Sequence, residues 1–363
     1  MDQGPPSDIG DIEFGPLVEE DLGRISELII SMGPKRGDQR LRDKSTAYYR
    51  WMYLDNPAGE AFVHSARRHG KVVSTFAVAP KRVQIDGRQV VLGKTMDMFT
   101  DPAYQGLGLI KRCTQAAFRS AMDAGLAGWY VTPSVNSYPI FTGKWGYRED
   151  FKVIYRAQIF DYATVLDAAL GRGRIGRHVG RAIDATLRLL PRSSFAIPEG
   201  SEVRELDSFG PDADRLWDAV SSGYRVAIIR NADYLNWRYV DNPGDYSAFG
   251  VFNQDRLTGI IVVTTTLRRG VVVGEIVDYV CGVDDRKTFK LLIDIAVDHL
   301  RGSGCALAQA WSIPGTAGDR RLRAAGLRLP RAETKFLISP AYPDPIIYRP
   351  ESWFLTQGDG NDV

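Results

Sequence analysis

The sequence is poor in the residues that hold metals or cross-link small folds. Its three cysteines, Cys113, Cys281 and Cys305, are odd in number and form no CxxC pair, and its four histidines are scattered. Neither a disulfide framework nor a metal site is indicated, and a reduced, cytoplasmic, metal-free protein is expected. No apolar run approaches the roughly 20 residues needed to span a bilayer; the longest lie around Ile260–Val263 and Val271–Val273. Residues 1–6, Met-Asp-Gln-Gly-Pro-Pro, lack the basic start and apolar stretch of a secretory signal. Net charge is also scarce: 46 Lys and Arg against 44 Asp and Glu leave +2. No global field draws in nucleic acid or an anionic membrane, so any polyanion site must be local. What is present, 44% apolar and 25% charged residues over a chain of 363, is the composition of a globular protein long enough for two domains.

The chain repeats itself. Tyr48 to Pro57 reappears as Tyr234 to Pro243, with Tyr, Trp, Tyr, Asp, Asn and Pro identical at a constant offset of 186 residues. The same succession of elements follows each copy. Strands are expected at 61–65, 72–79 and 90–99, then a helix over 109–123 and a strand over 129–133. In the second half the counterparts are 247–252, 257–265, 271–280, 288–300 and 306–314. Each half closes on a short helix and a glycine, Gly146 and Gly326. The first helix rests on Leu109, Cys113, Ala116, Ala117 and Ala121 sharing one face. Such a match implies duplication. The expected domains are residues 1–160 and 200–340, with a linker at 161–199 and a tail at 341–363.

The linker region, residues 161–198, holds six arginines and no lysine. It reads as helices over 162–170 and 179–190, separated by a glycine-rich turn from Gly171 to Gly180. Two readings stand: a basic amphipathic pair for a membrane surface or an anionic substrate, or a connector whose arginines pair with carboxylates on the domains.

The most informative stretch runs from Asp97 to Arg112. A strand enters a turn at Asp101-Pro102, then Gln105-Gly106-Leu107-Gly108, then a helix. Gly106 and Gly108 let successive N–H groups converge, and the helix N-terminus adds unsatisfied donors and partial positive charge. This is an anion cradle. It lacks the Gly-Lys-Ser/Thr of a P-loop and the GxGxxG of a dinucleotide fold. Where the second half should carry the loop it reads Gly282-Val283-Asp284-Asp285, and those carboxylates would repel a pyrophosphate.

The segment resembles the acyl-CoA pyrophosphate loop of GNAT-type N-acetyltransferases, whose pattern is Gln/Arg-x-x-Gly-x-Gly/Ala after a strand. Gly146-Tyr147 is similar to a common ending of that fold. The resemblance implies an α/β (α+β) architecture of two tandem GNAT-like domains, each a mixed, mostly antiparallel, splayed sheet flanked by helices, the second degenerate. It implies acetyl-CoA as co-substrate. Main-chain donors from Gln105, Gly106, Leu107, Gly108, Leu109 and Ile110 would hold the pyrophosphate. Phe99, Thr100 and Asn136 would hold the pantetheine arm, Asn136 having a helix N-cap as its other reading. Two positions depart from the pattern: Ile110 replaces a small residue, and Thr142 stands where many members carry a tyrosine. Tyr138 is then the nearest phenol to protonate the leaving thiolate, a packing residue beside Pro139 being its other reading.

Acyl transfer requires a neutral amine, so a base must take a proton near neutral pH. Asp97, inside an otherwise apolar strand, is the best-placed carboxylate; its structural reading is pairing with a neighbouring arginine or facing solvent at the sheet edge. Glu60 and His64 are weaker candidates, and main-chain N–H of Met98 or Phe99 would serve the oxyanion. Trp51, Trp237, Asp55 and Asp241 occur in both halves and so read as structural. Glu275 and Asp278 are candidates for facing the acceptor. The expected activity is an N-acyltransferase acting on a small-molecule amine, with no nucleic acid partner. The Trp-x-Tyr-x-Asp-Asn-Pro segment and Trp353-Phe354-Leu355 resemble GNAT proteins of surface-polysaccharide and amino-sugar pathways. The alternatives are a non-catalytic CoA-binding or scaffold module, and an acyltransferase for an amino acid or antibiotic amine.

Overall fold

A computed structural model describes residues 10–32, 44–170, 174–188 and 197–360. The chain forms two compact units. The first takes Met1–Asp150, Asp241–Pro243 and Lys335–Tyr348; the second takes Phe151–Val240, Gly244–Thr334 and Arg349–Val363.

The first unit begins with β1 (Glu13–Pro16), α1 (Asp21–Met32) and α2 (Thr46–Tyr53), the last started by Ser45, whose hydroxyl accepts from the Tyr48 N–H. Strands β2 (Phe62–Arg68), β3 (Lys71–Ile85) and β4 (Arg88–Thr100) form an antiparallel meander, followed by α3 (Leu109–Asp123) and β5 (Trp129–Val131). α3 turns Leu109, Cys113, Ala117 and Ala121 into the core against Phe76 and Val78 of β3, as its periodicity predicts. Ala116 is only half-buried. Phe118 stacks on Trp129 with ring centroids 4.5 Å apart, fixing α3 over β5.

The second unit starts with β6 (Lys152–Ile159), then α4 (Tyr162–Ala169) and α5 (Arg174–Arg188). It continues with β7 (Ser201–Glu205), α6 (Pro211–Val220), β8 (Val226–Ile228) and α7 (Ala232–Tyr239). β9 (Ser247–Asn253), β10 (Arg256–Arg268), β11 (Val271–Cys281), α8 (Arg286–Gly302), β12 (Leu307–Ser312), α9 (Ala317–Ala325) and β13 (Leu329–Lys335) complete it. Its sheet runs β13-β6-β12-β11-β10-β9-β7. β14 (Leu337–Ile338) then pairs antiparallel with β5, so the first sheet runs β1-β2-β3-β4-β5-β14.

Each sheet thus takes in one strand from the other half of the chain: β14 at the end of the first sheet, and β6 between β13 and β12 in the second. β6, next in sequence after the first unit, pairs with β12 and buries Val153, Tyr155 and Ala157. Arg156 on this strand binds Asp319 of α9 at 2.7 Å. The first unit accordingly closes at Asp150 and takes back residues 335–348, where the sequence reading drew its limits at 160 and 340.

The linker also differs from its sequence reading. α5 starts at Arg174, and Gly176 and Gly180 lie within it instead of forming a turn. A Cβ at Gly180 would sit 2.4 Å from the Ala163 Cα, and one at Gly176 would sit 2.7 Å from the Leu166 carbonyl oxygen. These glycines mark where α4 and α5 press backbone to backbone, a contact invisible to a rule that takes glycine as punctuation. Arg177 of α5 pairs with Asp167 of α4 at 2.7 Å, joining the two helices of this hairpin.

Candidate active site

β4 leads into a turn at Pro102–Tyr104, where the Asp101 carboxylate accepts from the Ala103 N–H at 2.9 Å. Gly106 and Gly108 follow at φ +85° and +74°, and a Cβ on either would meet no atom within 4 Å. It is the left-handed backbone, not crowding, that calls for glycine here. Gly108 is the N-cap of α3 and supplies no side chain to its amides. The helix ladder begins with the Arg112 N–H donating to the Gly108 carbonyl at 3.3 Å. The amides of Leu109, Ile110 and Lys111 therefore have no intrahelical acceptor. Among the described residues, no hydrogen bond uses the N–H of Gly106, Leu107 or Gly108 either. The open amides form a run from Gly106 to Lys111 at the positive end of α3.

Gln105 stands outside that run. Its N–H points to the Pro102 carbonyl at 3.4 Å, and its side-chain amide points to the Thr100 carbonyl, also at 3.4 Å. It braces the loop against the end of β4. Leu107 and Ile110 pack on the core, which explains why a branched residue is tolerated at 110. Arg112 lies over the Phe14 ring at 3.7 Å, while Lys111 is exposed.

Beside the loop, β4 and β5 part company. They pair in parallel only at Gly93 with Trp129 and Lys94 with Tyr130, leaving the edge of β4 towards Phe99 and Thr100 without a paired strand among the described residues. On its other side β4 bulges: Met96 faces Ala77 and Phe99 faces Thr75, so Asp97 and Met98 share the single residue Phe76. Asp97 sits at φ +49° within this bulge. Its buried carboxylate accepts from the Tyr53 hydroxyl at 2.8 Å and pairs with the Lys44 ammonium at 3.1 Å. Burial, and then the Asp97 charge, push the Tyr53 phenol well above its ordinary range. Neither partner was singled out from sequence. Tyr53 belongs to the repeated decapeptide, whereas Lys44 carries no local signal.

The remaining candidates are more dispersed. The Tyr138 hydroxyl donates to Glu149, which is also held by Lys335 at 2.7 Å. The Thr142 hydroxyl donates to the Tyr138 carbonyl at 3.0 Å and so serves its own helical turn. Asn136 is exposed and is not the cap of the short helix Ile140–Lys144, whose N-cap is Pro139. His64 Nε2 lies 3.1 Å from the Ser120 hydroxyl, and burial, followed by Arg67, lowers its pKa. Glu60 is exposed.

Residues 37–149 match the model of the acetyltransferase (GNAT) domain. The matched segment is a GNAT domain. No curated protein matches the chain by sequence. Three crystal structures share its fold over most of its length, at identities too low to carry more than the fold. An Enterococcus faecalis V583 protein of unknown function, a probable N-acyltransferase, aligns over 90% of this chain and 72% of its own with a TM-score of 0.59 and 11% identity. A GCN5-related N-acetyltransferase from Anabaena variabilis gives 0.57 and 12%, over 90% and 72%. Saccharomyces cerevisiae N-myristoyltransferase with bound myristoyl-CoA gives 0.62 and 12%, over 93% and 85%.

The second half repeats the GNAT frame with its opening closed. The turn before α8 has Asp285 as N-cap, and its carboxylate accepts from the Thr288 N–H at 2.9 Å. The donors left open in α3 are partly taken here, under a negative charge. β11 and β12 pair only from Val273–Leu307 to Ile276–Ala310. Beyond that, the segment Thr356–Gly360 packs in. A Cβ at Gly358 would lie 2.0 Å from the Tyr239 hydroxyl oxygen, and one at Gly360 2.7 Å from the Trp311 ring. Arg230, fully buried, donates to Asp278 at 2.8 Å, to Asp359 at 2.8 Å and to Thr356 at 2.9 Å. Arg238 reaches the Gly358 carbonyl at 3.1 Å.

Asp278 and Glu275, expected to face an acceptor, are instead buried in this network. Asp278 is also held by the Tyr239 hydroxyl at 2.8 Å. Glu275 pairs with Arg268 at 2.7 Å and accepts from Gln309 and Thr266, while burial raises its pKa more than these partners lower it. Their carboxylates serve the fold.

Proposed function

We propose that the first unit binds acetyl-CoA, or a longer acyl-CoA, and transfers its acyl group to the amine of a small molecule. The observation that carries this is the run of unpartnered amides from Gly106 to Lys111 at an uncapped helix start, beside the point where β4 and β5 diverge. A diphosphate suits such donors. The exposed edge at Phe99 and Thr100 suits an extended arm that adds itself to the sheet.

In the proposed reaction a neutral amine attacks the thioester carbonyl carbon. The carbonyl π-bond opens onto oxygen, and the C–S bond then breaks to release the CoA thiolate, while the amine proton leaves to a base. The bulge at Asp97–Met98 disrupts the ladder locally, which makes the Met98 or Phe99 N–H a candidate donor to the oxyanion. Asp97 is the carboxylate at that point. Its recurrence as Asp278, gripped by an equivalent tyrosine in a half without the loop, favours a role in holding the bulge over one in taking protons. Tyr138 remains the proposed donor to the thiolate, with Glu149 and Lys335 fixing its hydroxyl.

The acceptor is proposed to be an amino sugar or sugar nucleotide, supported by the resemblance around Trp51–Pro57 and Trp353–Leu355, and the setting to be cytoplasmic. Two observations favour a non-catalytic CoA-binding module instead: Thr142 replaces the usual tyrosine, and the Tyr138 hydroxyl is already engaged as a hydrogen-bond donor to Glu149. Thermal-shift titration with CoA thioesters from acetyl to myristoyl, followed by thiol release with a panel of amines, decides between them. Stabilisation with amine-dependent thiol release supports the enzyme. Stabilisation without release supports the binding module, and no stabilisation by any thioester removes both.

A further inference from the structure

The second unit contains a cavity of about 1070 Å³ that the acyl-transfer reading does not use. It is open to solvent on one side and bounded by the α4–α5 hairpin, the end of β6, the β10–β11 turn and the last turn of α8, and it is lined by Arg177, Arg181, Arg269 and Arg301. Its volume is at the upper end of small-molecule sites, roughly 300–1,000 Å³.

The cavity's acidic residues are committed within the hairpin. Asp161 starts α4, accepting from the Thr164 N–H at 2.9 Å and the Thr164 hydroxyl at 2.6 Å. Asp184 accepts from the N–H groups of Tyr162 and Ala163 at 3.0 and 3.1 Å, and Asp167 pairs with Arg177. Among the described residues, neither Arg181 nor Arg301 makes an ion pair. Arg301 lies over the Phe160 ring at 4.6 Å, which holds the guanidinium plane while leaving its N–H edges open. Arg177 and Arg181 are four residues apart and so share one face of α5. Guanidinium groups converging on one space are suited to oxygens that each accept two N–H bonds, the geometry of phosphoryl groups.

We propose that this cavity is a binding site for a small molecule carrying two or more linked phosphoryl groups, separate from the acyl-CoA loop of the first unit. Arg181 and Arg301 supply the principal contacts, with Arg177 and Arg269 at the rim.

The probe is inorganic tripolyphosphate, titrated calorimetrically into the full chain carrying Gly108→Glu, which disables the loop as a competing anion site. Binding at one equivalent is expected. It should weaken at least tenfold in Arg181→Gln/Arg301→Gln, recover in part with lysine at both positions, and fall with added salt. Orthophosphate should bind at least tenfold more weakly than tripolyphosphate. Circular dichroism verifies that the exposed substitutions leave the fold intact. The proposal is overturned if the Gly108→Glu chain binds no tripolyphosphate, if the double substitution leaves affinity unchanged, or if orthophosphate binds equally well. Pelleting with phosphatidylglycerol vesicles that tripolyphosphate does not compete away would equally overturn it, in favour of a lipid surface.

Discussion

Substituting Gly108 by glutamate separates the energetics of the loop's backbone from those of its charge. At φ +74° any residue with a Cβ is strained, by ~1–2 kcal/mol for a left-handed conformation. Nothing lies within 4 Å of the added Cβ, so the first side-chain carbon adds no packing penalty. The fold should survive with a melting temperature lowered by ~2–8 °C. Gly108→Ala carries the same strain without the charge and serves as the reference. The carboxylate then stands among the amides proposed to hold the diphosphate. A like-charge pair about 4 Å apart costs ~4 kcal/mol at an effective dielectric near 20. The loop is exposed, and screening reduces this to ~1–3 kcal/mol, a loss of roughly five- to 150-fold in CoA affinity. Calorimetric titration of CoA into wild type, Gly108→Ala and Gly108→Glu measures both effects, and raising the salt should narrow the deficit of the charged variant. Wild-type affinity in a folded Gly108→Glu protein would refute the assignment of the site.

Three further outcomes are expected. Tyr53→Phe removes the hydroxyl that donates to Asp97, leaving a buried carboxylate oxygen short of a donor at ~1–3 kcal/mol; turnover should drop at least tenfold while CoA binding holds, and unchanged turnover would detach the bulge from catalysis. Gly358→Ala drives a Cβ into the Tyr239 hydroxyl at 2.0 Å and should lower stability in urea by ~1–3 kcal/mol, a result that an unshifted transition would contradict. Burial alone would raise the Asp319 pKa, but Arg156, Ser312 and the Gly315 N–H together bring it below its ordinary value. Since the folded pKa is the lower one, this contribution is complete above pH ~4 and fades as pH falls through the folded value. Asp319→Asn should flatten that acid limb of the stability curve.

The duplication and the loop were legible in the sequence because each is local. A decapeptide repeats at fixed spacing, and two glycines precede an amphipathic helix. Trp51 and Trp237 are buried, as their presence in both halves suggested. Contacts that span distance were not legible. Tyr53 meets Asp97 across 44 residues and Tyr239 meets Asp278 across 39, and nothing in either decapeptide indicates a partner on the fourth strand of its repeat. Gly176 and Gly180 carry the composition of a turn because a glycine selected for close helix packing has the same letter as one selected for φ. The segment 356–360, rich in glycine and aspartate, has the makeup of a loose tail. Its burial depends on Arg230, more than a hundred residues earlier.

The two halves together explain why one frame supports a site and its copy does not. Both keep the tyrosine–aspartate pair at a bulge in the corresponding strand, so that pair is a property of the frame. They differ at two places. The helix start is uncapped over Gly108 but capped by Asp285, and the gap beside the bulged strand holds no paired strand between β4 and β5 among the described residues but is lined by Gly358 and Gly360 beyond the β11–β12 pairing. Either change alone would weaken a diphosphate-bearing ligand. Removing the Asp285 carboxylate should therefore not restore a second CoA site, because the arm would still meet residues 357–360 and would have to displace a segment anchored by a fully buried arginine. Titration of Asp285→Gly with CoA should still give a single equivalent. A second equivalent would mean that the cap alone silences this half and that the packed segment yields to the ligand.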